Sequence, residues 1–373
     1  MRICIIAEGY PTKDDPFLPF VRALFVEITK KGHECNVIAP QSITRAIKHH
    51  LRLRPRYWKD VVDENKYIHV YQPYYCSLSN GNSRITQIQF QRAVEKVFCR
   101  IHDNIDVLYA HFWHMGIVAA KLAAKKPIFL ACGESKISVK DRYTEEDIQC
   151  LLSQLSGVIY VGTKSYHEAV SLGLQRNNNY IIAPNGYNPL EFYNVDKRNS
   201  RAKLGFGLDD KIVSFVGAFS KRKGVDRLLE ALKKTQTQPK VILIGQGDYY
   251  TKYNNIVFKG SVSHEKIVDY LNASDVFVLP TNNEGCCNAI VEALACGLPV
   301  ISSNQEFNDD ILDDSCSLRI NPMDIGQISS AIDAIFMDPE MMKKLQNGAV
   351  EKAKKLKLEE RAKIILSFIE QKS

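Results

Sequence analysis

The sequence predicts an α/β protein whose strands form parallel sheets in two domains. Two observations predict this class. Short apolar runs alternate with amphipathic stretches of helical spacing in both halves of the chain. The length of 373 residues also suits two domains, each large enough for a hydrophobic core of its own.

The N-terminal half begins with a strand–helix–strand unit. An apolar strand starts at residue 2, an amphipathic helix covers residues 20–31, Gly32 ends that helix, and residues 35–39 form the next strand. The helix turns four apolar side chains inward: Val21, Leu24, Phe25 and Ile28. No G-x-G-x-x-G motif follows Ile6, which argues against a dinucleotide site.

Residues 106–123 are predicted to form a strand that runs into a helix. His111 lies at the carboxyl end of that strand, where ligands bind in open α/β sheets. By position alone, a structural histidine is the better interpretation. His111 and His114 could suggest a metal pair, but the sequence nearby offers no carboxylate or cysteine to complete a ligand set, so no metal site is expected.

The most informative segment covers residues 276–303, which is typical of a buried strand, a polar loop, a helix and a second buried strand. Glu284 and Glu292 flank the start of the helix, and the residues between them include Gly285, Cys286, Cys287 and Asn288. The first turn of a helix leaves backbone N–H groups unpaired and favours an anion such as phosphate. Two carboxylates beside a phosphate suit hydroxyl groups of a sugar or a ribose. Chance spacing of two glutamates is the alternative.

Two weaker segments fit the same site. In residues 211–232 a predicted strand ends at Gly217, and the loop after it carries Arg222 and Lys223, which suit a diphosphate; a solvated basic loop is the alternative. Asn185 and Gly186 form a turn signal between the halves, and a plain interdomain turn is equally compatible with it.

Taken together and in this order, these segments resemble glycosyltransferase family 4, the retaining nucleotide-sugar transferases of the GT-B fold. The resemblance implies two Rossmann-like parallel-sheet domains that face each other across a cleft. Residues 1–186, completed by a C-terminal helix at 356–373, would be the acceptor side. Residues 187–355 would bind the nucleotide-sugar donor.

The resemblance also implies roles for individual residues. Glu284 would contact the donor sugar, Glu292 the ribose and Lys223 the diphosphate, while His111 would be the active-site histidine. The full set of expected donor-binding residues is Gly217, Arg222, Lys223, Gly285, Cys286, Cys287, Asn288 and Glu292. Gly133, Glu134 and Asn185 are expected near the cleft. The chain departs from the family pattern at Ala218, where the family commonly has arginine, and at Cys132.

The charge pattern bears on the binding partners of the protein, and its cysteines bear on the compartment in which it works. The net charge is +7, and residues 44–60 combine six Lys or Arg side chains with Tyr57 and Trp58, which suits an anionic membrane surface. A nucleic acid is not expected because no recognised nucleic-acid motif accompanies the segment, and a solvated insertion is the alternative. Ten cysteines without a C-x-x-C pair indicate a reducing compartment.

The resulting expectation is a metal-independent, cofactor-free retaining enzyme that moves a sugar from a UDP-sugar to a glycan or lipid-linked acceptor in polysaccharide biosynthesis. It would be cytoplasmic, with or without peripheral contact with the cell membrane through residues 44–60. A nucleotide-sugar epimerase and an inactive nucleotide-sugar-binding relative remain as alternatives. Acceptor choice is assigned to loops within residues 10–20 and 42–83.

Overall fold

A computed structural model describes residues 1–12, 17–77, 83–122, 125–175 and 177–373. The chain divides into two compact units. Unit 1 contains Met1–Val161, Ser165–Ala183 and Arg361–Ser373, and unit 2 contains Gly162–Lys164 and Pro184–Glu360. The predicted acceptor loops include residues 13–16 and 78–82, which lie outside the described residues. The assignment of acceptor and donor roles to two domains stays a prediction.

Unit 1 is built on a sheet of eight strands with the order β10-β9-β8-β7-β1-β2-β5-β4, in which β4 alone is antiparallel to its neighbour. A separate pair, β3 and β6, is parallel. The strands are β1 (Arg2–Ile6), β2 (Glu34–Ile38), β3 (Gln41–Ser42), β4 (Tyr57–Asp63), β5 (Lys66–Tyr71), β6 (Tyr74–Tyr75), β7 (Val107–His111), β8 (Ile128–Cys132), β9 (Leu155–Tyr160) and β10 (Tyr180–Ile182). The helices in this part of the chain are α1 (Pro19–Lys30), α2 (Ile43–Lys48), α3 (Arg84–Ile101), α4 (Trp113–Ala120), α5 (Glu145–Gln154) and α6 (Thr163–Ser171).

The predicted opening unit of the chain is confirmed. Helix α1 buries the four side chains expected to face inward, together with Thr29, and Gly32 follows it with a φ of +90°. Glycine adopts that backbone conformation without the clash that a Cβ atom would cause. Strand β2 begins one residue earlier than expected. Strand β1 pairs with β2 on one side and with β7 on the other, so the carboxyl end of β1 lies in the middle of the sheet.

Unit 2 contains a six-stranded sheet that is parallel throughout, with the order β13-β12-β11-β14-β15-β16. Its strands are β11 (Ile212–Val216), β12 (Lys240–Ile244), β13 (Ile256–Gly260), β14 (Val276–Leu279), β15 (Val300–Ser303) and β16 (Ser317–Ile320). The helices that accompany them are α7 (Lys197–Leu204), α8 (Val225–Lys234), α9 (His264–Ala273), α10 (Asn288–Ala295), α11 (Ile325–Met337) and α12 (Pro339–Lys355). The predicted strand–loop–helix pattern after residue 211 and that at residues 276–303 are both confirmed.

Strand order reverses direction between β11 and β14. The chain adds strands to one side of β11 and then returns to add β14 on its other side. Successive connections therefore leave opposite faces of the sheet and open a crevice at the carboxyl ends of these two strands. Gly224, at the start of α8, has a φ of +82°, and an added Cβ atom would lie 2.4 Å from the backbone oxygen of Pro280. Only glycine permits this close approach of the two loops.

The last helix, α13 (Leu358–Lys372), packs in the core of unit 1. Ala362, Ile365 and Ile369 are fully buried among side chains of β1 and α1, as the amphipathic pattern predicts. The ring of Phe368 meets Phe129 edge to face at 5.6 Å. Among the helices that the structure describes, none combines the length and the apolar character that a membrane span requires.

Candidate functional site

The predicted donor residues of unit 2 gather at the carboxyl ends of β11 and β14. The loop after β11 carries Arg222 and Lys223, and the loop after β14 carries Glu284. We call this group the unit 2 switch point, because it lies where the strand order reverses. The structure therefore brings together three charged residues that the sequence assigned to one site.

Glu284 is at the centre of this cluster. Its Oε1 atom lies 2.6 Å from Nη1 of Arg222 and 2.8 Å from Nζ of Lys223, and it also accepts a hydrogen bond of 2.8 Å from the hydroxyl of Thr281. Only 8% of Glu284 is exposed. A carboxylate this buried is stabilised by such charge-assisted hydrogen bonds, and without them its burial would be costly.

Lys223 keeps its positive charge inside this cluster. Burial by itself lowers the pKa of its ammonium group, but the charge and hydrogen bond of Glu284 act against burial, and the pKa lies above its ordinary value. The Cys287 thiol lies 3.9 Å from Nζ of Lys223. Burial raises the pKa of that thiol more than Lys223 lowers it, so Cys287 is a neutral neighbour.

Helix α10 begins at Asn288, four residues after Glu284, and no side chain caps its N-terminus. Cys287 occupies the capping position, but its side chain accepts no backbone hydrogen bond there. Asn185 ties this loop to the start of unit 2, because its Nδ2 atom donates to Oδ1 of Asn288 at 2.8 Å and its backbone N–H points to Sγ of Cys286 at 3.4 Å. Unpaired N–H groups at a helix start attract anions. Asn185 thus helps to position the first residues of α10.

Glu292 has a partner that the sequence did not reveal. Its Oε1 atom lies 3.2 Å from Nε2 of His264, and Nδ1 of the same ring lies 3.5 Å from Oε2 of Glu191. Hydrogen bonds to these two carboxylates raise the pKa of His264 to about 10. His264 is therefore a cation at neutral pH that holds Glu292 in place. A histidine at the first position of a helix after a serine gave no pattern that could have indicated this role.

Arg227 joins the two loops of the switch point. Its Nη1 atom donates to the backbone oxygen of Lys221, and its Nη2 atom donates to that of Pro280, each at 2.7 Å. Sequence reasoning missed this residue because it lies in the first turn of α8, among apolar positions that suggested only a core helix. The contact fixes the distance between the loop of Arg222 and Lys223 and the loop of Glu284.

His111 lies at the matching position of unit 1, at the end of β7 beside β1. It is 3% exposed, and among the described residues neither ring nitrogen has a hydrogen-bond partner. The rings of Phe20 and Phe112 lie 5.3 and 4.5 Å away. Burial, together with the charges of Arg361 and His114, lowers the pKa of His111 to about 3. The imidazole is therefore neutral, with unused hydrogen-bonding capacity, a combination that is typical of functional positions.

The backbone directly after His111 is strained. Phe112 has a φ of +84° and a ψ of 156°, a region that almost only glycine occupies. Such a conformation costs on the order of 1–3 kcal/mol and persists where the surrounding structure enforces it. The next residue, Trp113, donates its backbone N–H to Oε1 of Glu134 at 2.8 Å. Strain next to an unpaired buried histidine supports a functional role for this turn.

Glu134 has a structural contact that the sequence did not predict. Its carboxylate caps the start of α4 through Trp113, and burial raises its pKa against the lowering effect of that hydrogen bond. Oε2 of Glu134 is buried, and no described residue forms a hydrogen bond with it. Gly133 is half-buried, and a Cβ atom there would lie 3.4 Å from the ring of Phe112. Both residues therefore adjoin the turn that carries His111.

The sequence did not reveal that His114 has a carboxylate partner. Oε1 of Glu8 lies 2.5 Å from Nε2 of His114. Burial alone would raise the pKa of Glu8, but the hydrogen bond and charge of His114, together with Arg142 and His111, leave it below its ordinary value. The carboxylate comes from the loop after β1, which only the sheet brings next to β7. Within the described ranges, no three His, Cys, Asp or Glu side chains are clustered as metal ligands.

Known proteins resemble this chain in sequence and in fold. Residues 196–355 match the family model described as "Glycosyl transferases group 1". Over 349 residues, 89% of this chain and 88% of the other, the sequence is 29% identical to the Bacillus subtilis (strain 168) protein described as "Putative teichuronic acid biosynthesis glycosyltransferase TuaC". A second relative is the N-acetyl-alpha-D-glucosaminyl L-malate synthase of Bacillus anthracis, with 23% identity over 74% of this chain and 72% of the other.

Solved structures share the fold of the whole chain. Sucrose-phosphate synthase from Thermosynechococcus elongatus aligns with a TM-score of 0.79 and 18% identity, covering 99% of this chain and 98% of the other. The Anabaena protein HepE, solved in complex with UDP and glucose, aligns with a TM-score of 0.72 and 16% identity over all of both chains. The chain therefore has the GT-B fold, and its residues 196–355 match the glycosyl transferases group 1 model.

Proposed function

We propose that this protein is a retaining, metal-independent glycosyltransferase that moves a sugar from a UDP-sugar to a glycan or lipid-linked glycan acceptor in polysaccharide biosynthesis. One observation carries the proposal. Inside the glycosyl transferases group 1 domain, Arg222 and Lys223 converge on Glu284 at the strand-order reversal. This arrangement places two cations where the diphosphate of a nucleotide diphospho-sugar would bind, and one carboxylate where the hydroxyl groups of its sugar would bind.

The ion pairs suggest how the donor is bound. A diphosphate is a stronger anion than a carboxylate, so Arg222 and Lys223 would turn to its oxygens. Glu284 would then be released to accept hydrogen bonds from hydroxyls of the donor sugar. When the bond between sugar and diphosphate breaks, the two cations and the open N-terminus of α10 would stabilise the developing negative charge.

The remaining residues complete the assignment. Glu292, held by the His264 cation, would accept hydrogen bonds from the ribose hydroxyls. Gly217, Gly285, Cys286, Cys287 and Asn288 would form the backbone surroundings of the diphosphate. His111 would be the catalytic histidine of unit 1, where its neutral imidazole can accept or donate a hydrogen bond to a sugar hydroxyl. Retention of configuration is part of this proposal.

The named relatives support the choice of donor and pathway. The HepE structure contains UDP and glucose, and the Bacillus subtilis relative is described as a putative teichuronic acid biosynthesis glycosyltransferase. We extend UDP and a polysaccharide or lipid-linked acceptor to this chain on that basis. We also propose a cytoplasmic location, where nucleotide sugars are available.

Thermal stabilisation by nucleotides tests the donor assignment. The protein, with EDTA present, is melted with UDP, GDP, ADP and a panel of their sugar conjugates. We expect UDP and one UDP-sugar to raise the melting temperature, because a ligand that binds only the folded state stabilises it by mass action. Stabilisation by GDP or ADP compounds alone would overturn the choice of UDP. No stabilisation by any nucleotide would overturn the donor site itself.

Product analysis separates the two enzyme classes. The donor identified by melting is incubated without acceptor, and the sugar is analysed for a change of configuration. A transferase leaves the nucleotide sugar unchanged apart from slow hydrolysis. Accumulation of an isomeric nucleotide sugar would show that the chain is an epimerase.

A further inference from the structure

A pocket of about 90 Å³ opens in unit 1, and the residues that line it all belong to that unit. Its lining comes from the loop after β1, from β3 and α2, from the irregular segment after α2 and from the end of β6. The residues that matter here are Glu8, Ser42, Arg45, Arg52, Arg54 and Tyr75. Guanidinium groups bind carboxylates and phosphates through forked hydrogen bonds, so three arginines on one small concave surface favour an anionic ligand.

Arg54 is positioned by the fold. Its Nη1 atom donates to the backbone oxygen of Tyr10 at 2.6 Å. Its backbone N–H donates to Gln41, and its backbone oxygen accepts from Gln41 and from the hydroxyl of Tyr74. These contacts pin the irregular segment to the β3–β6 pair. The wall of the pocket is therefore preorganised, which reduces the entropy lost on binding.

Arg45 and Arg52 supply positive charge to the pocket lining. The guanidinium of Arg45 lies over the ring of Phe17, 5.0 Å from its centroid, which restricts its orientation. Arg52 is exposed. In the part of the chain that the structure describes, no carboxylate forms an ion pair with either residue.

Among the described residues that line the pocket, Glu8 is the one carboxylate, and it already has a partner. Glu8 contacts His114 at 2.5 Å, and its pKa lies below the ordinary value, so it is charged and paired at neutral pH. It therefore offsets little of the charge of Arg45 and Arg52. It also offers a hydrogen-bond acceptor for hydroxyl groups of a ligand whose acidic group is held by the arginines.

We propose that this pocket binds an anionic group, a carboxylate or a phosphate, of the acceptor molecule. This rests on the proposed function, because it takes the ligand of unit 1 to be the sugar-accepting substrate. A concave pocket lined by arginines favours a discrete acidic group over the flat membrane surface expected for residues 44–60. Trp58, the main interfacial residue of that segment, instead donates to Gln72 at 2.8 Å and packs on Tyr10.

Binding of small anionic sugars tests the pocket directly. The full-length protein is saturated with UDP, so that the phosphate site of unit 2 is occupied, and UDP binding is itself measured first. Glucose, glucuronate and glucose 6-phosphate are then compared by ligand-observed NMR titration. The variants are the double substitution Arg45→Gln/Arg52→Gln and, as a matched control, Arg56→Gln. Arg56 belongs to the same segment but lies over the Tyr74 ring outside the pocket lining.

We expect at least one acidic sugar to bind about fivefold more tightly than glucose, and only the double variant to lose that preference. Preference for glucuronate would identify a carboxylate, and preference for glucose 6-phosphate a phosphate. Equal binding of all three sugars, or equal loss in Arg56→Gln, would overturn the proposal. The proposal would also be overturned if no sugar bound while the wild type bound phosphatidylglycerol vesicles and both variants lost that vesicle binding equally. Failure of UDP to bind would count against the donor assignment and leave the sugar comparison intact.

Discussion

The two units place candidate functional residues at equivalent points of their sheets, but the surroundings of these residues differ. In unit 2, the charged residues at the end of β11 and after β14 are paired with each other, so that Glu284 has three hydrogen-bond donors. In unit 1, the residue at the end of β7 is His111, which is neutral, lies among aromatic rings and has no hydrogen-bond partner within the described part of the chain. The backbone after it is strained, whereas the unit 2 loop enters its helix in an ordinary extended conformation.

This difference teaches that the same topology can serve two electrostatic tasks. A site that must bind a multiply charged ligand can keep its own charges paired until the ligand replaces one partner. A site that must exchange a hydrogen bond at neutral pH can keep an imidazole uncharged by burial, at a cost in stability. Removing the central residue should therefore have opposite consequences for stability in the two units.

The largest effect is expected for Glu284→Gln. We expect sugar transfer to fall about 100-fold, because the donor sugar loses its charged acceptor. UDP affinity should not fall, since Arg222 and Lys223 become more available to the diphosphate. Steady-state kinetics and UDP titration measure the two quantities.

Glu230→Gln serves as the control for this substitution. Glu230 pairs with Lys233 at 3.0 Å on the exposed side of α8, away from the switch point. Its transfer rate and UDP affinity should equal those of the wild type. Near-normal transfer by Glu284→Gln would contradict the role assigned to Glu284.

The next effect concerns stability in acid. The unfolded chain protonates a histidine near pH 6.5, whereas burial lowers the pKa of His111 to about 3 in the folded state. As pH falls through this window the unfolded state binds the extra proton, so the wild type loses stability, on the order of 3 kcal/mol by about pH 4. His111→Leu should be more stable than the wild type, by a margin that grows as pH falls.

Denaturant unfolding of unit 1 at several pH values measures this margin. Tyr109→Phe is the matched control, because the Tyr109 hydroxyl is also buried with no hydrogen-bond partner among the described residues but does not titrate in acid. Its stability difference from the wild type should not vary between neutral pH and about pH 4. A margin for His111→Leu that is independent of pH would show that the imidazole is not held neutral by the fold.

The smallest effect is expected for His264→Gln. Glu292 would lose the cation that orients it, so KM for the donor should rise about fivefold with less change in kcat. The raised pKa of His264, about 10, means that this cation stabilises the fold fully below about pH 6.5 and ceases to do so as pH rises through about 10. The stability difference between wild type and variant should therefore shrink in alkali.

Lys203→Gln controls for loss of an ion pair on the same helix, since Lys203 contacts Asp269 of α9 at 2.7 Å. It should leave the donor KM unchanged. An equal rise of KM in both variants would show that the effect reflects α9 as a whole, and Glu292 would then have no specific dependence on His264.

The sequence by itself determined the elements and the local chemistry. Apolar runs and helical spacing located β1, α1, β11, α8, β14 and α10, and the residues that begin α10 indicated an anion site, because these signals depend on neighbours within one or two turns. Resemblance to a family added the roles of Glu284, Glu292, Lys223 and His111, which stay proposals.

Only the tertiary structure decided which charges meet. Arg222 and Glu284 are 62 residues apart, and Glu8 reaches His114 only because β1 and β7 are neighbours in the sheet. His264 beside Glu292, Arg227 between two loops, and the arginines of the unit 1 pocket are equally non-local. Sequence patterns report local periodicity, whereas pKa shifts and binding sites depend on distances that arise from strand order and packing.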